Sequence, residues 1–258
     1  MKSLFFTIFL ALSFTASQAQ GWFSKVKGNG NVITETRTTE SYDQISAAGS
    51  FDVILVKGAE GKITLEGEEN IISLIETEVK NNKLRVAFKK GVSISTRRRI
   101  TITIPFEDLN AISFAGSGNL KSEYVIKADE LNASLAGSGD VSLPLEGAQI
   151  KISVSGSGNF TAQIKSQNLK TSLAGSGDIE LDGESQTIEI AVSGSGDVDA
   201  KNLRSDSAKI SVAGSGDVLV TSRVEIYARV SGSGTIGYYG RPQKEDIKVS
   251  GSGRVSMQ

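Results

Sequence analysis

The tripeptide Gly-Ser-Gly recurs at nearly constant spacing through most of the chain. Its copies begin at Gly116, Gly137, Gly156, Gly175, Gly194, Gly214, Gly232 and Gly251. The intervals between copies are about 19 residues, and a degenerate copy, Gly49-Ser50-Phe51-Asp52, lies upstream. A fixed period of this kind is typical of repeat proteins in which each unit stacks on its neighbour.

Apolar residues alternate on both sides of each motif, which indicates strands with one buried face. Around Gly156, for example, Val154 lies two residues before the motif and Phe160 four residues after its first glycine. Both glycines of the motif occupy positions that face the interior, and a sharp bend leaves no room there for a side chain. We therefore predict a structural corner at Gly116, Gly118, Gly137, Gly139, Gly156, Gly158, Gly175, Gly177, Gly194, Gly196, Gly214 and Gly216.

One corner in every ~19 residues predicts an all-β, single-stranded β-helix, a solenoid with coils of that length closed by three short strands. A β-propeller is the main alternative, but its blades need ~40 residues or more. Residues 111–258 would form the coils. Residues 30–110 would supply the first coil and a capping insertion, because an uncovered terminal coil is an exposed strand edge. Within that segment, Glu69 to Ile75 predicts a short helix, and Val79 to Phe88 predicts a hairpin turning at Asn81-Asn82.

The N-terminus has the pattern of a signal peptide, residues 1–19. Lys2 is followed by the apolar run Leu4 to Ala16 and the cleavage sequence Ser17-Gln18-Ala19, which leaves residues 20–29 as an N-terminal tail. The apolar run is too short to span a bilayer comfortably. We expect an exported protein, in the periplasm, on the outer surface or outside the cell, with no transmembrane segment in the mature chain.

Composition excludes several classes of chemistry. The chain has no Cys and no His, which rules out disulfides, thiolate or imidazole metal sites and Ser-His-Asp catalysis. The net charge of −1 gives no electrostatic reason to expect nucleic acid as a partner. A local basic run, Arg97-Arg98-Arg99 with Lys89, Lys90 and Arg85, is either a contact for an anionic glycan or lipopolysaccharide or a solvated strand face.

Outward positions near the motif repeat as well. Three residues before the first glycine, a hydroxyl recurs at Ser113, Ser134, Ser153, Ser172 and Ser211. These serines are candidate ligand-binding residues, on a surface that would bind a sugar or ice. The alternative is that small residues simply pack tightly at a corner. The sequence suggests no cofactor other than a metal ion considered below.

Asp or Asn follows most motifs, and Asp178, Asp197 and Asp217 succeed one another. Gly-x-Gly-x-Asp arrays bind Ca²⁺ in repeats of nine residues, but here the opposite side of the coil has no second copy. Capping of nearby backbone N–H groups is therefore favoured over a calcium site. The three successive carboxylates remain candidate metal ligands, since like charges repel unless a cation or solvent screens them.

Several motifs in order resemble a known family. They are Gly28-Asn29-Gly30-Asn31-Val32, Tyr42-Asp43-Gln44-Ile45, Ala48-Gly49-Ser50-Phe51-Asp52-Val53, Glu68-Glu69-Asn70-Ile71-Ile72, Ile75-Glu76-Thr77-Glu78-Val79 and the Gly-Ser-Gly-Asp/Asn series. From about residue 30 to 255 the chain is similar to the GIN domain, formerly a domain of unknown function, labelled an autotransporter adhesin head and common in Bacteroidetes. The resemblance implies a right-handed β-helix and an exported location. It assigns no catalytic or ligand-binding role to any residue of this chain.

Three functions are compatible with the sequence. The first is a non-catalytic surface or envelope module that binds a glycan, an envelope component or a protein through the solenoid face. The second is a polysaccharide-active β-helix enzyme, although such enzymes cluster carboxylates in a groove and this chain spreads them along a ladder. The third is a purely structural envelope protein. The sequence does not indicate the oligomeric state.

Overall fold

The computed structural model describes residues 24–258, so the predicted signal peptide lies outside the described residues. Within this range the chain forms 21 β-strands and one short helix. Nineteen strands belong to one continuous sheet, and the other two pair with each other. No helix in the described range is long and apolar enough to cross a membrane.

The N-terminal part contains nine strands and the helix. They are β1 (Ser24–Lys27), β2 (Val32–Thr38), β3 (Gln44–Gly49), β4 (Asp52–Lys57), β5 (Lys62–Glu68), α1 (Glu69–Ile72), β6 (Ile75–Lys80), β7 (Lys83–Phe88), β8 (Val92–Ser95) and β9 (Thr101–Phe106). The helix predicted to reach residue 75 ends at Ile72, because Ile75 already begins β6.

The remaining strands build the coils. They are β10 (Ala111–Gly116), β11 (Asn119–Ser122), β12 (Ile126–Lys127), β13 (Glu130–Gly137), β14 (Asp140–Gly156), β15 (Asn159–Gly175), β16 (Ile179–Gly194), β17 (Val198–Gly214), β18 (Val218–Gly232), β19 (Thr235–Tyr239), β20 (Lys244–Gly251) and β21 (Arg254–Met257). Each coil pairs in parallel with the next, with motif glycines in register, as in Gly156 beside Gly175. The structure confirms the β-solenoid with coils of ~19 residues.

The long coils are not divided into three short strands. Strands β14 to β18 each run for 15 to 17 residues, because neighbouring coils bend together and stay paired on both sides of the bend. The register shifts near the bend between β16 and β17 and between β17 and β18. A second bend is visible instead as a change in which alternate residues point into the core. In β15, Ala162 and Ile164 are buried, and the next buried positions are Leu169 and Thr171. This change lies around Ser166, roughly opposite the motif corner in the coil sequence.

The first coil is covered by the segment that follows it. Strand β3 lies between β7 and β10, and β4 lies between β9 and β11, with all four pairings parallel. Residues 58–110 therefore fold back over the N-terminal edge of the first coil, and antiparallel pairs β2–β5 and β6–β7 extend this cap. The β6–β7 hairpin turns at Asn81 and Asn82, whose φ angles of 52° and 58° suit a type I′ turn.

Residues 24–27 were assigned to the N-terminal tail from sequence, but they form β1. This strand pairs in parallel with β8, and Val26 packs against the hydrophobic core together with Ile94 of β8. A partly buried apolar contact and four in-register residues hold the segment in place. The first described strand thus lies within the predicted tail.

Side chains from successive coils form columns that fill the solenoid. Phe51, Phe106, Phe114 and Phe160 are among the largest fully buried side chains, and the rest of the core is mainly Ile, Leu and Val. Because paired parallel strands place equivalent residues in line, the inward columns are apolar and the outward columns are the surface available to a ligand.

Candidate functional site

The motif glycines lie where the backbones of consecutive coils approach most closely. At all twelve predicted corner positions, a Cβ would overlap a backbone carbonyl oxygen of the preceding coil. The first glycine of each motif also has a φ between +114° and +150°, which residues with a Cβ rarely adopt. The physical constraint is therefore the neighbouring backbone rather than a narrow core, and several first glycines are half-exposed.

Backbone hydrogen bonds join one corner to the next. In the coil beginning at Gly175, the N–H groups of Ser176 and Gly177 both donate to the carbonyl of Gly156, at 2.9 and 3.1 Å. The same double contact recurs at other corners, including Ser157 and Gly158 on Gly137. The serine side chain in the middle of the motif points outward and is not needed for this stacking. The motif is therefore an architectural element.

The Asp and Asn residues after the motif form a continuous column, and each Asp caps the next coil. The Oδ1 of Asp178 accepts the N–H of Asp197 at 3.1 Å, and the Oδ1 of Asp217 accepts that of Thr235 at 2.8 Å. Asp140 accepts both the N–H and the side-chain amide of Asn159. The capping role expected from sequence is present, but it operates between coils rather than within one corner.

The three candidate metal ligands are neighbours in this column. Asp178, Asp197 and Asp217 follow one another along the solenoid, and two of their Oδ1 atoms accept the N–H group of the next Asp. Among the described residues, no group of three or more acidic side chains is arranged to hold a metal ion. The candidate calcium site remains a prediction, and it would have to use the outer carboxylate oxygens.

The predicted serine stripe is a single column. Ser113, Ser134, Ser153 and Ser172 are paired in register, Ala191 interrupts the series, and Ser211 follows it. Hydroxyls contact each other along the column, with Ser134 donating to Ser113 at 2.9 Å and Ser172 to Ser153 at 3.3 Å. The first four are half-buried and Ser211 is exposed. We call these six positions the serine column.

A second polar column runs directly beside it and was not identified from sequence. Its members are Asn132, Lys151, Lys170, Glu189 and Lys209, each two residues before a position of the serine column, and Tyr227, which pairs with Lys209 on the next coil. We call it the lysine column. Because i and i+2 on a strand share a face, Lys151 lies beside Ser153, Lys170 beside Ser172 and Lys209 beside Ser211. The recurring Lys-x-Ser spacing was the available signal, and Glu189 with Ala191 interrupts it.

The lysine column borders a groove of about 550 Å³ along the flank of the solenoid, which we call the flank groove. Its other side carries Gln149, Asn168 and Thr187, which also repeat from coil to coil. Glu189 bridges Lys170 at 3.3 Å and Lys209 at 3.1 Å, whereas Lys151 has no ion-pair partner among the described residues. The groove therefore offers ammonium, amide and hydroxyl groups at the coil spacing.

A second groove, of about 750 Å³, lies at the second bend of the coils, around Ser166. Its charged side chains alternate in sign along one column, Lys127, Glu146, Lys165, Glu184 and Arg204. Two neighbouring pairs in this column form ion pairs, Lys127 with Glu146 at 3.1 Å and Arg204 with Glu184 at 3.5 Å. Alternating charges partly neutralise one another between stacked coils, and Lys165 is the member of this column that has no ion pair among the described residues.

The carboxyl groups whose pKa is displaced all favour the ionised form. Hydrogen bonds from Lys209 and Lys170 lower the pKa of Glu189, and hydrogen bonds from Ser207 and Tyr227 lower that of Glu225. Arg229 lowers the pKa of Asp246. A glycosidase needs a carboxylic acid kept protonated by a raised pKa, and these three groups are shifted in the opposite direction.

Two overlapping matches to one family model cover most of the solenoid. The model is described as "Putative auto-transporter adhesin, head GIN domain", and it matches residues 41–160 and 142–242. The chain belongs to this family. The resemblance predicted from the sequence motifs is thus confirmed for this GIN-domain protein.

Solved structures show the same fold. A protein from Parabacteroides distasonis described as a putative lipid binding protein is 30% identical, with a TM-score of 0.83 over 90% of this chain and 99% of that chain. A putative adhesin from Bacteroides fragilis is 25% identical, with a TM-score of 0.70 over 90% and 100% of the two chains. A putative adhesin from Parabacteroides merdae, 24% identical with a TM-score of 0.85 over 91% and 99%, supports the fold alone. Among curated proteins, no significant match is found.

Proposed function

We propose that this GIN-domain protein is an exported, non-catalytic module that binds an extended polar ligand, foremost a glycan of the envelope or of a cell surface, along one flank. The observation that carries the proposal is the pair of serine and lysine columns. Three coils present an ammonium beside a hydroxyl, at Lys151/Ser153, Lys170/Ser172 and Lys209/Ser211. Repetition at the strand spacing of ~4.8 Å suits a chain-like ligand that makes the same contacts several times.

The absence of catalysis is supported by the residue inventory and by the charges. The chain has no His or Cys for a Ser-His-Asp or Cys-His site, and glycoside hydrolysis would depend on a pair of carboxyl groups. Glu189 and Glu225, which lie close to the flank groove, have a lowered pKa and are held by cationic or hydroxyl partners. Such groups stabilise the surface and are poor proton donors.

Export and binding are supported by sequence and by relatives. Residues 1–19 carry the signal-peptide pattern described above. The family model is described as a putative adhesin head, and relatives from Bacteroides fragilis and Parabacteroides distasonis are described as a putative adhesin and a putative lipid binding protein. Both descriptions name a binding role.

The test is a glycan-array and whole-cell binding assay with residues 20–258, repeated in EDTA. The double variant Lys151→Ala/Asn168→Ala removes groups from both sides of the flank groove, and Gln163→Ala/Lys165→Ala removes similar groups on a different face. We expect binding to fall at least about tenfold in the first variant and to persist in the second. Absence of binding in every condition, or equal losses in both variants, would contradict the proposal, and polysaccharide turnover would contradict its non-catalytic part.

A further inference from the structure

Positive charge is concentrated at the N-terminal end of the solenoid. The stretch from Val79 to Phe106 carries eight of the 28 Lys and Arg residues of the chain and none of its 29 Asp and Glu residues. These residues span the end of β6 and strands β7, β8 and β9 of the cap, while the chain as a whole has a net charge of −1. The stretch therefore carries a charge of +8 and the rest of the chain a charge of −9, so the positive charge is local to this stretch.

The centre of this basic region is the two-stranded ribbon of β1 and β8. Lys25 pairs in register with Ser93 and Lys27 with Ser95. Val26 packs against the core, so that the alternating Lys25 and Lys27 side chains point away from it and are exposed. One face of the ribbon anchors it to the molecule, and the other presents two lysines beside two serines.

Further cations lie at both ends of β8. Lys89 and Lys90 precede the strand, and Arg97 and Arg98 follow it, all of them exposed. A four-residue strand is about 13 Å long, so these groups extend the basic surface beyond the ribbon in both directions. We call Lys25, Lys27, Lys89, Lys90, Arg97 and Arg98 the basic cap.

The arginine loop is held in place by a buried carboxylate. Glu68 is 3% exposed and accepts hydrogen bonds from the Thr96 hydroxyl and, at 2.7 Å, from the N–H of Gly30. The Thr96 Oγ1 in turn accepts the N–H of Arg98 at 2.9 Å. Glu68 thus ties the loop after β8 to the segment after β1, which keeps the cations of the two segments on one surface.

These six cations lack ion-pair partners among residues 24–258. The nearby Arg85 and Arg99 differ, since they contact Glu76 at 3.7 Å and Asp52 at 3.5 Å. Most ion pairs of the described chain lie on the coils, such as Lys209 with Glu189 and Arg223 with Asp206. The positive charge of the basic cap is therefore available to an external partner.

We propose that the basic cap docks the protein end-on to a membrane surface that contains anionic lipids. Each Lys or Arg near such a surface contributes about 1 kcal/mol, and this attraction depends on charge density rather than on an enclosed pocket. The grooves described above lie along the coils, and no residue of the basic cap lines them. An open, spread array of cations fits an extended anionic plane better than a single bound molecule.

End-on docking would leave the flanks of the solenoid free. The serine and lysine columns begin beyond the cap, on strands β10 and β13, and continue away from it. The docking proposal does not depend on the flank ligand, because the two surfaces share no residue. Each can be removed by substitution without altering the other.

The test is co-sedimentation of residues 20–258 with vesicles of phosphatidylcholine alone or mixed with phosphatidylglycerol. The cap variant is Lys25→Gln/Lys27→Gln/Arg97→Gln/Arg98→Gln. The matched control, Lys121→Gln/Lys165→Gln/Arg241→Gln/Arg254→Gln, removes the same charge from exposed coil positions outside the flank columns. Circular dichroism and melting temperature verify that both variants are folded.

We expect the wild-type protein to bind the anionic vesicles, to ignore the neutral ones and to dissociate in 0.5 M salt. The cap variant should bind at least about 30-fold more weakly, and the control should stay within about threefold of wild type. Equal losses in both variants, binding to neutral vesicles, or no binding to anionic vesicles would overturn the proposal. Binding to soluble dextran sulfate without binding to vesicles would assign the basic cap to a polyanion instead. A flank variant that binds vesicles but not glycans would separate this proposal from the preceding one.

Discussion

The Oδ1 atom of Asp197 accepts a hydrogen bond from the backbone N–H of Asp217, one coil further along the solenoid, at 2.7 Å. The same contact joins Asp178 to Asp197 and Asp217 to Thr235. The carboxylates after the motif therefore connect coils where the backbone leaves the corner, and their regular spacing is explained by this structural role.

Removing this acceptor should weaken the solenoid modestly. Asp197→Ala leaves the N–H of Asp217 to solvent and should cost about 0.5–1 kcal/mol in the free energy of unfolding. Asp197→Asn keeps an acceptor oxygen and removes repulsion from the neighbouring carboxylates, so it should match or exceed wild type. Urea unfolding of the three proteins measures the difference. Equal loss in both variants would show that charge, rather than the capping oxygen, is what matters.

Calcium should have little effect on stability. One oxygen of each Asp in the column is already engaged with a backbone N–H, and the carboxylates form a line rather than a cluster. Melting in millimolar Ca²⁺ and in EDTA should therefore agree within about 1 °C, since a bound ion would raise the melting temperature by mass action. A clear rise that disappears in Asp197→Ala would establish the cation site predicted from the three successive Asp residues.

Adding one methyl group at a corner should be far more damaging than removing a neighbouring hydroxyl. In Gly177→Ala the new Cβ would overlap the carbonyl oxygen of Gly158, so the two backbones must separate. We expect a loss of at least about 2 kcal/mol, against less than about 0.5 kcal/mol for Ser176→Ala at the exposed centre of the same motif. Thermal and urea unfolding distinguish these outcomes, and similar losses for both would disprove the close-packing explanation.

Thr171 occupies a position where an apolar residue should be better. Its side chain is fully buried between Ile152 and Ile190 of the adjacent coils, and its Oγ1 has no hydrogen-bond partner among the described residues. Thr171→Val keeps the shape and removes the buried hydroxyl, which should stabilise the fold by about 1 kcal/mol. Thr161→Val on the exposed face of the same strand is the control and should change stability by less than about 0.5 kcal/mol. Destabilisation by Thr171→Val would imply that the hydroxyl has a partner.

The sequence predicted the features that repeat and missed those that depend on distant segments. The corners, the inward columns and the serine column follow from the period of the motif, because parallel stacking places equivalent residues in line. The hairpin at Asn81 and Asn82 was accessible from local turn chemistry. The pairing of β7 and β9 with the first coil was not, since nothing local indicates that these strands return to the edge of β3 and β4.

The candidate site was also only partly accessible. Ser153 and Ser172 were found because a small hydroxyl residue repeats in their column, whereas Lys151 and Lys170 were missed because Glu189 and Tyr227 interrupt theirs. Likewise, the basic run at Arg97 was visible, but its continuity with Lys25 depends on the pairing of β1 with β8. A strand pairing that spans more than sixty residues cannot be read from either segment alone.

The lowered pKa of Glu189 gives the solenoid a defined response to acid. Hydrogen bonds from Lys209 and Lys170 hold the folded-state pKa below its ordinary value of 4.5. The ionised carboxylate therefore stabilises the folded state above that value, and this contribution is lost as the pH falls through the lower folded pKa. Because Glu189 is partly exposed, solvent screening limits the contribution to about 0.5–1 kcal/mol for the two pairs together.

Glu189→Gln should accordingly be less stable than wild type at pH 6 and equal to it near pH 3. Urea unfolding at the two pH values measures this difference, and 0.5 M salt should reduce it at pH 6. Glu130→Gln, which removes an exposed carboxylate that has no ion pair with the described residues, should show no such pH-dependent difference. If Glu189→Gln is equally destabilised at both pH values, the loss arises from packing, and the lysine column is not held together by charge.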